Sequence, residues 1–159
     1  KKALGKISVI LGDGRLKIAE VKEHYYDLII MDAFSSDAIP VHLISKEAIE
    51  LYLNKLTKTG IIAINISNRY INLEPVVNTL AKKLDLYILA QKDINISPEE
   101  KALGKTASHW VILTNKKENL GELVKDEKWQ TIPDNVKTKL WTDDYSNILN
   151  VIKFKELKL

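Results

Sequence analysis

The stretch Tyr26–Leu43, YDLIIMDAFSSDAIPVHL, decides how this chain is read. It opens on Asp27, runs through the apolar residues Leu28 to Met31, and then turns polar at once. An apolar run this short, without alternation, marks a strand covered on both faces, as in a parallel sheet. Just past its carboxyl end stand Asp32, Ser35, Ser36 and Asp37, and Pro40 closes the loop. In open α/β sheets ligands gather in the crevice outside the carboxyl ends of the strands. Two carboxylates there, beside small hydroxyl side chains, suit a cationic or amine-bearing ligand. The competing structural reading is a loop that only leads into the helix capped by Ser45.

Working outward, the same pattern recurs. Upstream, Ile7–Leu11 (ISVIL) reads as a strand, Gly12-Asp13-Gly14 as a sharp turn, and Arg15–Lys22 as a short helix. Downstream, Ser45–Leu56 has helical apolar spacing with Gly60 as a stop signal. Gly60–Ile66 (GIIAINI) then reads as a second buried strand ending in Asn65, Ser67, Asn68 and Arg69. Tyr70–Leu84 predicts a helix with Pro75 near its start, and Leu86–Ala90 a further strand. Successive strand–helix units that turn polar at the same end predict an α/β domain with a mostly parallel, Rossmann-like sheet and helices on both faces. Residues 91–107 are polar and rich in lysine, the best candidate for a mobile loop, and Trp110–Leu113 reads as the last strand. Residues 119–126 suggest a short helix, and 127–159 form a less regular carboxyl-terminal segment of the same single domain.

Composition narrows the classes. At 159 residues, 45% hydrophobic and 28% charged, the chain has the balance of a globular protein able to bury a core. No apolar run approaches a membrane span, and there is no cysteine for disulfides or thiolate metal sites. Three separated histidines, His24, His42 and His109, have no metal-ligand spacing, so no metal is expected. Net charge is +3, the lysines are scattered, and Arg15 and Arg69 are the sole arginines, a pattern that argues against a nucleic-acid partner.

MDAFSSDAIPVHL, with GDGRL at 12–16 and NISNRY at 65–70, resembles the spermidine synthase-like aminopropyltransferases, within the class I S-adenosylmethionine-dependent methyltransferase superfamily. The closer likeness is to bacterial spermidine synthase-like domains, some fused to membrane transporter segments. It runs well from Ile7 to Asn115 and covers the back half of the family's catalytic domain. The resemblance implies a nucleoside cosubstrate, decarboxylated S-adenosylmethionine or S-adenosylmethionine, and a polyamine acceptor. Asp32 would be the catalytic base, and Asp13 would receive the exocyclic amine of adenine. Asp37, with Ser35 and Ser36, would bind the amine, and Tyr145, in the WTDDY string at 141–145, is a further contact. Location would be cytoplasmic, or in the cytoplasmic domain of a membrane-fused parent, with no membrane contact by this segment.

The departures shape the expectation. The family's DP-x-GP-like continuation is replaced here by AFSSDAIPVHL. The chain starts at Lys1 rather than Met, as a fragment would, and the family's glycine-rich loop would lie before it. Aminopropyl transfer is therefore expected to be impaired. The alternatives are a methyltransferase on the same scaffold, or a non-catalytic nucleoside- or polyamine-binding module of a larger protein. Without the missing strands, Ile7–Leu11 is expected to add to the open edge at Leu28–Met31, and the remaining edge to drive association into a homo-oligomer.

Overall fold

Four strands form one sheet: β1 (Tyr26–Met31), β2 (Leu56–Asn65), β3 (Tyr87–Asp93) and β4 (Ser108–Thr114), in the spatial order β1-β2-β4-β3. The computed structural model describes residues 5–33, 40–133 and 138–153. β1 pairs with β2 in parallel, and β4 is antiparallel to both of its neighbours, so β1, β2 and β3 share one direction and β4 alone is reversed. This is the expected α/β, Rossmann-like architecture, and its last two strands, β3 and β4, form an antiparallel pair.

Strand alternation divides the core between the two faces. Ile62, Ile64, Val111 and Leu113 face helices α2 (Lys46–Lys55) and α3 (Glu74–Lys83), which contribute Ile49, Tyr52, Val77 and Leu80. The opposite face buries Leu89 and Ile112 under Leu120 of the 3₁₀ segment Lys117–Lys125, with Ile61, Ala63 and Trp129 alongside. Ser45 caps α2 as its sequence position requires, its hydroxyl accepting the Ala48 N–H at 3.2 Å.

Gly60 does something other than end a helix. β2 begins directly at Leu56, whose extended backbone already pairs with Tyr26. The register then jumps from Tyr26 opposite Leu56 to Leu28 opposite Ile61, and Gly60 sits at this irregularity. A Cβ on Gly60 would stand 2.9 Å from the Leu56 Cβ and 3.0 Å from the Tyr26 carbonyl oxygen. Backbone cannot yield as a side-chain tip can, so Gly60→Ala should cost about 1–3 kcal/mol. Urea unfolding checks this, and a wild-type midpoint would show that the bulge relaxes freely.

Three expectations are corrected. β1 is covered on one face only: Ile29 and Met31 are buried, whereas Leu28 is 46% and Ile30 61% exposed, because alternate side chains point to the opposite face, where no described element covers them. Ile7–Leu11 forms no strand: Ile7, Val9, Ile10 and Leu11 are 66–87% exposed and stand away from the sheet. The cause lies in how the following helix, α1 (Gly14–Ala19), is anchored. Arg15 bonds the His42 carbonyl and Asp143, and Lys55 Nζ donates to the carbonyls of Ala19 and Val21 at the end of α1. Those bonds hold α1 beside α2 rather than across β1, so no crossover carries 7–11 to the β1 edge. Residues 91–107 are likewise not a bare loop. They contain α4 (Pro98–Ala102) behind a reciprocal capping box, Ser97 Oγ accepting Glu100 N and Glu100 accepting Ser97 N. Lys105 bonds Glu100 of this helix and Asp93 at the end of β3, tying the two together.

The carboxyl-terminal segment is built into the domain by specific pairings. Gln130 exchanges two 2.8 Å backbone bonds with Ala90, covering part of the outer edge of β3. Trp141, 1% exposed, joins the helix-side core, and its carbonyl accepts the Lys46 N–H at the start of α2. Ile152 bridges Ile71 through bonds from Asn72 N to Val151 O and from Lys153 N to Tyr70 O.

Candidate functional site

The carboxyl ends of β1 and β2 bring Asp32 and Asn65 together. Both belong to strands whose apolar runs stop at the sheet rim, where backbone pairing gives way to side-chain bonding. Asn65 Nδ2 donates to Asp32 Oδ1 at 2.8 Å. The Asn65 Oδ1 in turn accepts from Ser67 N at 2.9 Å and from Ser67 Oγ at 2.5 Å, and Ser67 Oγ accepts the His109 N–H at 2.7 Å. The amide therefore has one orientation available to it. Asp32 is exposed, with one oxygen engaged by Asn65 and the other without a partner among the described residues. Ser35, Ser36 and Asp37, expected to complete this acidic loop, lie outside the described residues.

Asp13 occupies a second cluster, about the amino ends of α1 and α2. Its Oδ1 caps α1 by accepting the Leu16 N–H at 2.9 Å, and its Oδ2 lies 3.1 Å from His42 Nε2. The Leu16 bond, followed by His42, lowers the Asp13 carboxyl below its usual range. Asp13 is thus both the turn cap and an exposed carboxylate, since each oxygen keeps a further lone-pair direction. No described contact joins it to Asp32.

Beside it, the Arg15 guanidinium holds Asp143 in a two-armed bond, 2.7 Å on each arm, and Ser45 Oγ donates to Asp143 Oδ1 at 2.5 Å. These bonds hold the Asp143 carboxyl down at about 2. The WTDDY string therefore works first as a clamp on the start of α2. Tyr145 lies in the turn that follows, closed by reciprocal backbone bonds with Thr142, and its ring receives the Lys139 ammonium at 5.6 Å.

A third feature escapes the sequence reading. Past the ends of β2 and β3 opens a cavity of about 660 Å³ whose walls include Ser67, Asn68, Arg69, Lys92, His109 and Lys153. Behind it Glu74, at the start of α3, receives Lys92 Nζ at 2.8 Å. His109 Nε2 lies 3.1 Å from the same Glu74 oxygen, without the alignment of a full hydrogen bond. His109, then Lys92, hold the Glu74 carboxyl down at about 2 against burial. Among the described residues no three His, Cys, Asp or Glu side chains assemble as a metal-ligand set, and no helix is long and apolar enough to cross a membrane. Lys92, His109 and Lys153 come from separate segments, so only NISNRY could have flagged this place.

Among solved structures, the chain is similar to MnmC2 from Aquifex aeolicus, 18% identical with a TM-score of 0.47. The likeness covers 74% of this chain and 35% of that one, so the chain spans about a third of that protein's length. No protein-family model matches the chain, and no curated protein matches it.

Proposed function

We propose that the chain belongs to a transferase that moves an alkyl group from an S-adenosylmethionine-type sulfonium to an amine held at Asp32. The observation that carries this reading is the Asp32–Asn65 pair at the strand ends, a carboxylate oriented on one oxygen and without a partner on the other among the described residues. Asp13 fits the adenine end of such a donor, because its carboxylate is 38% exposed and flanked by two glycines. An amine is protonated near neutral pH and must lose that proton before it can attack. Asp32 takes the proton and keeps the nitrogen in line with the carbon beside the sulfur. The new N–C bond forms as the C–S bond breaks, and the neutral thioether leaves with the electron pair.

In the first form of this reading the donor is decarboxylated S-adenosylmethionine, the group is aminopropyl and the acceptor is a diamine such as putrescine. Methyl transfer is the second form, and one observation favours it. Ser67, linked to Asp32 by hydrogen bonds through Asn65, stands on the wall of the cation-lined cavity, so the positive charge gathered on that side disfavours the far end of a diamine.

Putrescine at fixed ionic strength should raise the melting temperature saturably, by ligand linkage. Asp32→Asn should weaken that binding about tenfold, the cost of one charge-assisted bond. An equal shift in the variant would remove Asp32 from the site.

A further inference from the structure

We infer that the cavity past the ends of β2 and β3 binds the oxyanion of a small molecule, a phosphate or a carboxylate. The inference goes beyond transfer at Asp32 and does not depend on it. Three permanent cations line the cavity, Arg69, Lys92 and Lys153, and among the described residues no carboxylate does. Glu74 touches Lys92 and His109 from behind, which fixes both without placing its charge on the cavity wall. Arg69 has no carboxylate partner among the described residues and rests against Tyr70, its guanidinium carbon 5.5 Å from the ring centre. Lys153 is set in place by the Ile71–Ile152 bridge, and its ammonium donates to the Asn68 carbonyl at 2.9 Å, leaving two protons to offer.

The neutral groups point the same way. Asn68 Oδ1 is used by the N–H groups of Tyr70 and Ile71, and Asn72 Oδ1 by that of Glu74. Each asparagine therefore presents its amide N–H₂ as the free end, a donor. Cations and amide donors, with no carboxylate among the described lining residues, make an oxyanion site, since charge-assisted bonds to carboxylate or phosphate are the strong ones. About 660 Å³ is the size of a small-molecule pocket rather than a track for a polymer. The two arginines and scattered lysines of the chain supply no basic stripe that would extend it.

The test is binding of inorganic phosphate and of succinate to the whole chain at ionic strength held constant with chloride, read by thermal shift and by amide shifts in NMR. At least one of the two should saturate and perturb the amides of 67–72 and His109, and whichever binds more tightly identifies the headgroup. Arg69→Gln with Lys153→Gln should weaken it about tenfold or more. Lys128→Gln, which removes a cation from the neighbouring cavity of about 570 Å³, should leave it unchanged. No effect beyond chloride, wild-type affinity in the double variant, or an equal loss in Lys128→Gln would overturn the inference. So would a short oligonucleotide that binds far more tightly through the same residues, because the surface would then serve nucleic acid. Putrescine binding at Asp32 is read separately, so either proposal can fail without the other.

Discussion

Replacing Trp141 by alanine should cost about 3–5 kcal/mol, the range for emptying a large aromatic site in a core. The ring is 1% exposed and packs into the cluster that α2 and α3 form on the sheet, far in sequence from most of its neighbours. A domain of this size is stable by roughly 5–15 kcal/mol, so the variant should be near its limit at room temperature. One term works against the loss. The indole Nε1 is buried without a hydrogen-bond partner among the described residues, and removing an unsatisfied donor returns about 1–3 kcal/mol. Trp141→Phe should therefore be much milder than Trp141→Ala, because it keeps most of the ring and loses only the orphaned N–H. Urea unfolding of both variants measures the difference. If both unfold at the wild-type midpoint, the carboxyl-terminal segment is an appendage and not part of the core.

The same residue shows where sequence reading stops. β1, β2, α2 and α3 were legible because apolar periodicity and a serine cap are local signals. Ser45 predicts its own bond to Ala48, and a run such as IIAINI predicts its own burial. Trp141 sits in irregular backbone, where no period distinguishes a buried ring from an exposed one. Ile7–Leu11 fails in the opposite sense: the run is β-prone, but the anchors on α1 leave it without a neighbour. The capping box at Ser97 and Glu100 was readable from its spacing, and the lysines around it concealed the signal.

The site divides along the same line. Asp32 was legible as a carboxylate closing an apolar run, and Asn65 as a polar end of the next strand, yet their bond depends on the parallel register of β1 and β2. Asp13 caps α1 and keeps an exposed carboxylate beside His42. The cationic cavity was not legible. Its members come from four segments that meet only when β4 inserts between β2 and β3 and the Ile152 bridge returns the tail.

Glu74 is where stability and that cavity meet, and it gives a second large expected effect. Its side chain is 15% exposed, and its carboxyl is held at about 2 instead of the ordinary 4.5. A carboxyl whose folded value is depressed stabilises the fold at pH above its unfolded value, and that stability is lost as pH falls through the folded value. The window here runs from about 4.5 down to about 2. Taken at face value the shift corresponds to roughly 3 kcal/mol. Lys92 is 51% exposed, so solvent screens its share, and about 1–3 kcal/mol is the expected loss at pH 7 in Glu74→Gln. Asp143, lowered in the same range, contributes to the acid sensitivity of the wild type as well. The comparison of wild type with Glu74→Gln isolates Glu74: the gap in unfolding free energy should be full at pH 7 and close as pH approaches 2. A gap independent of pH would mean that Glu74 contributes packing alone, and that its carboxylate does not hold Lys92 and His109 in place.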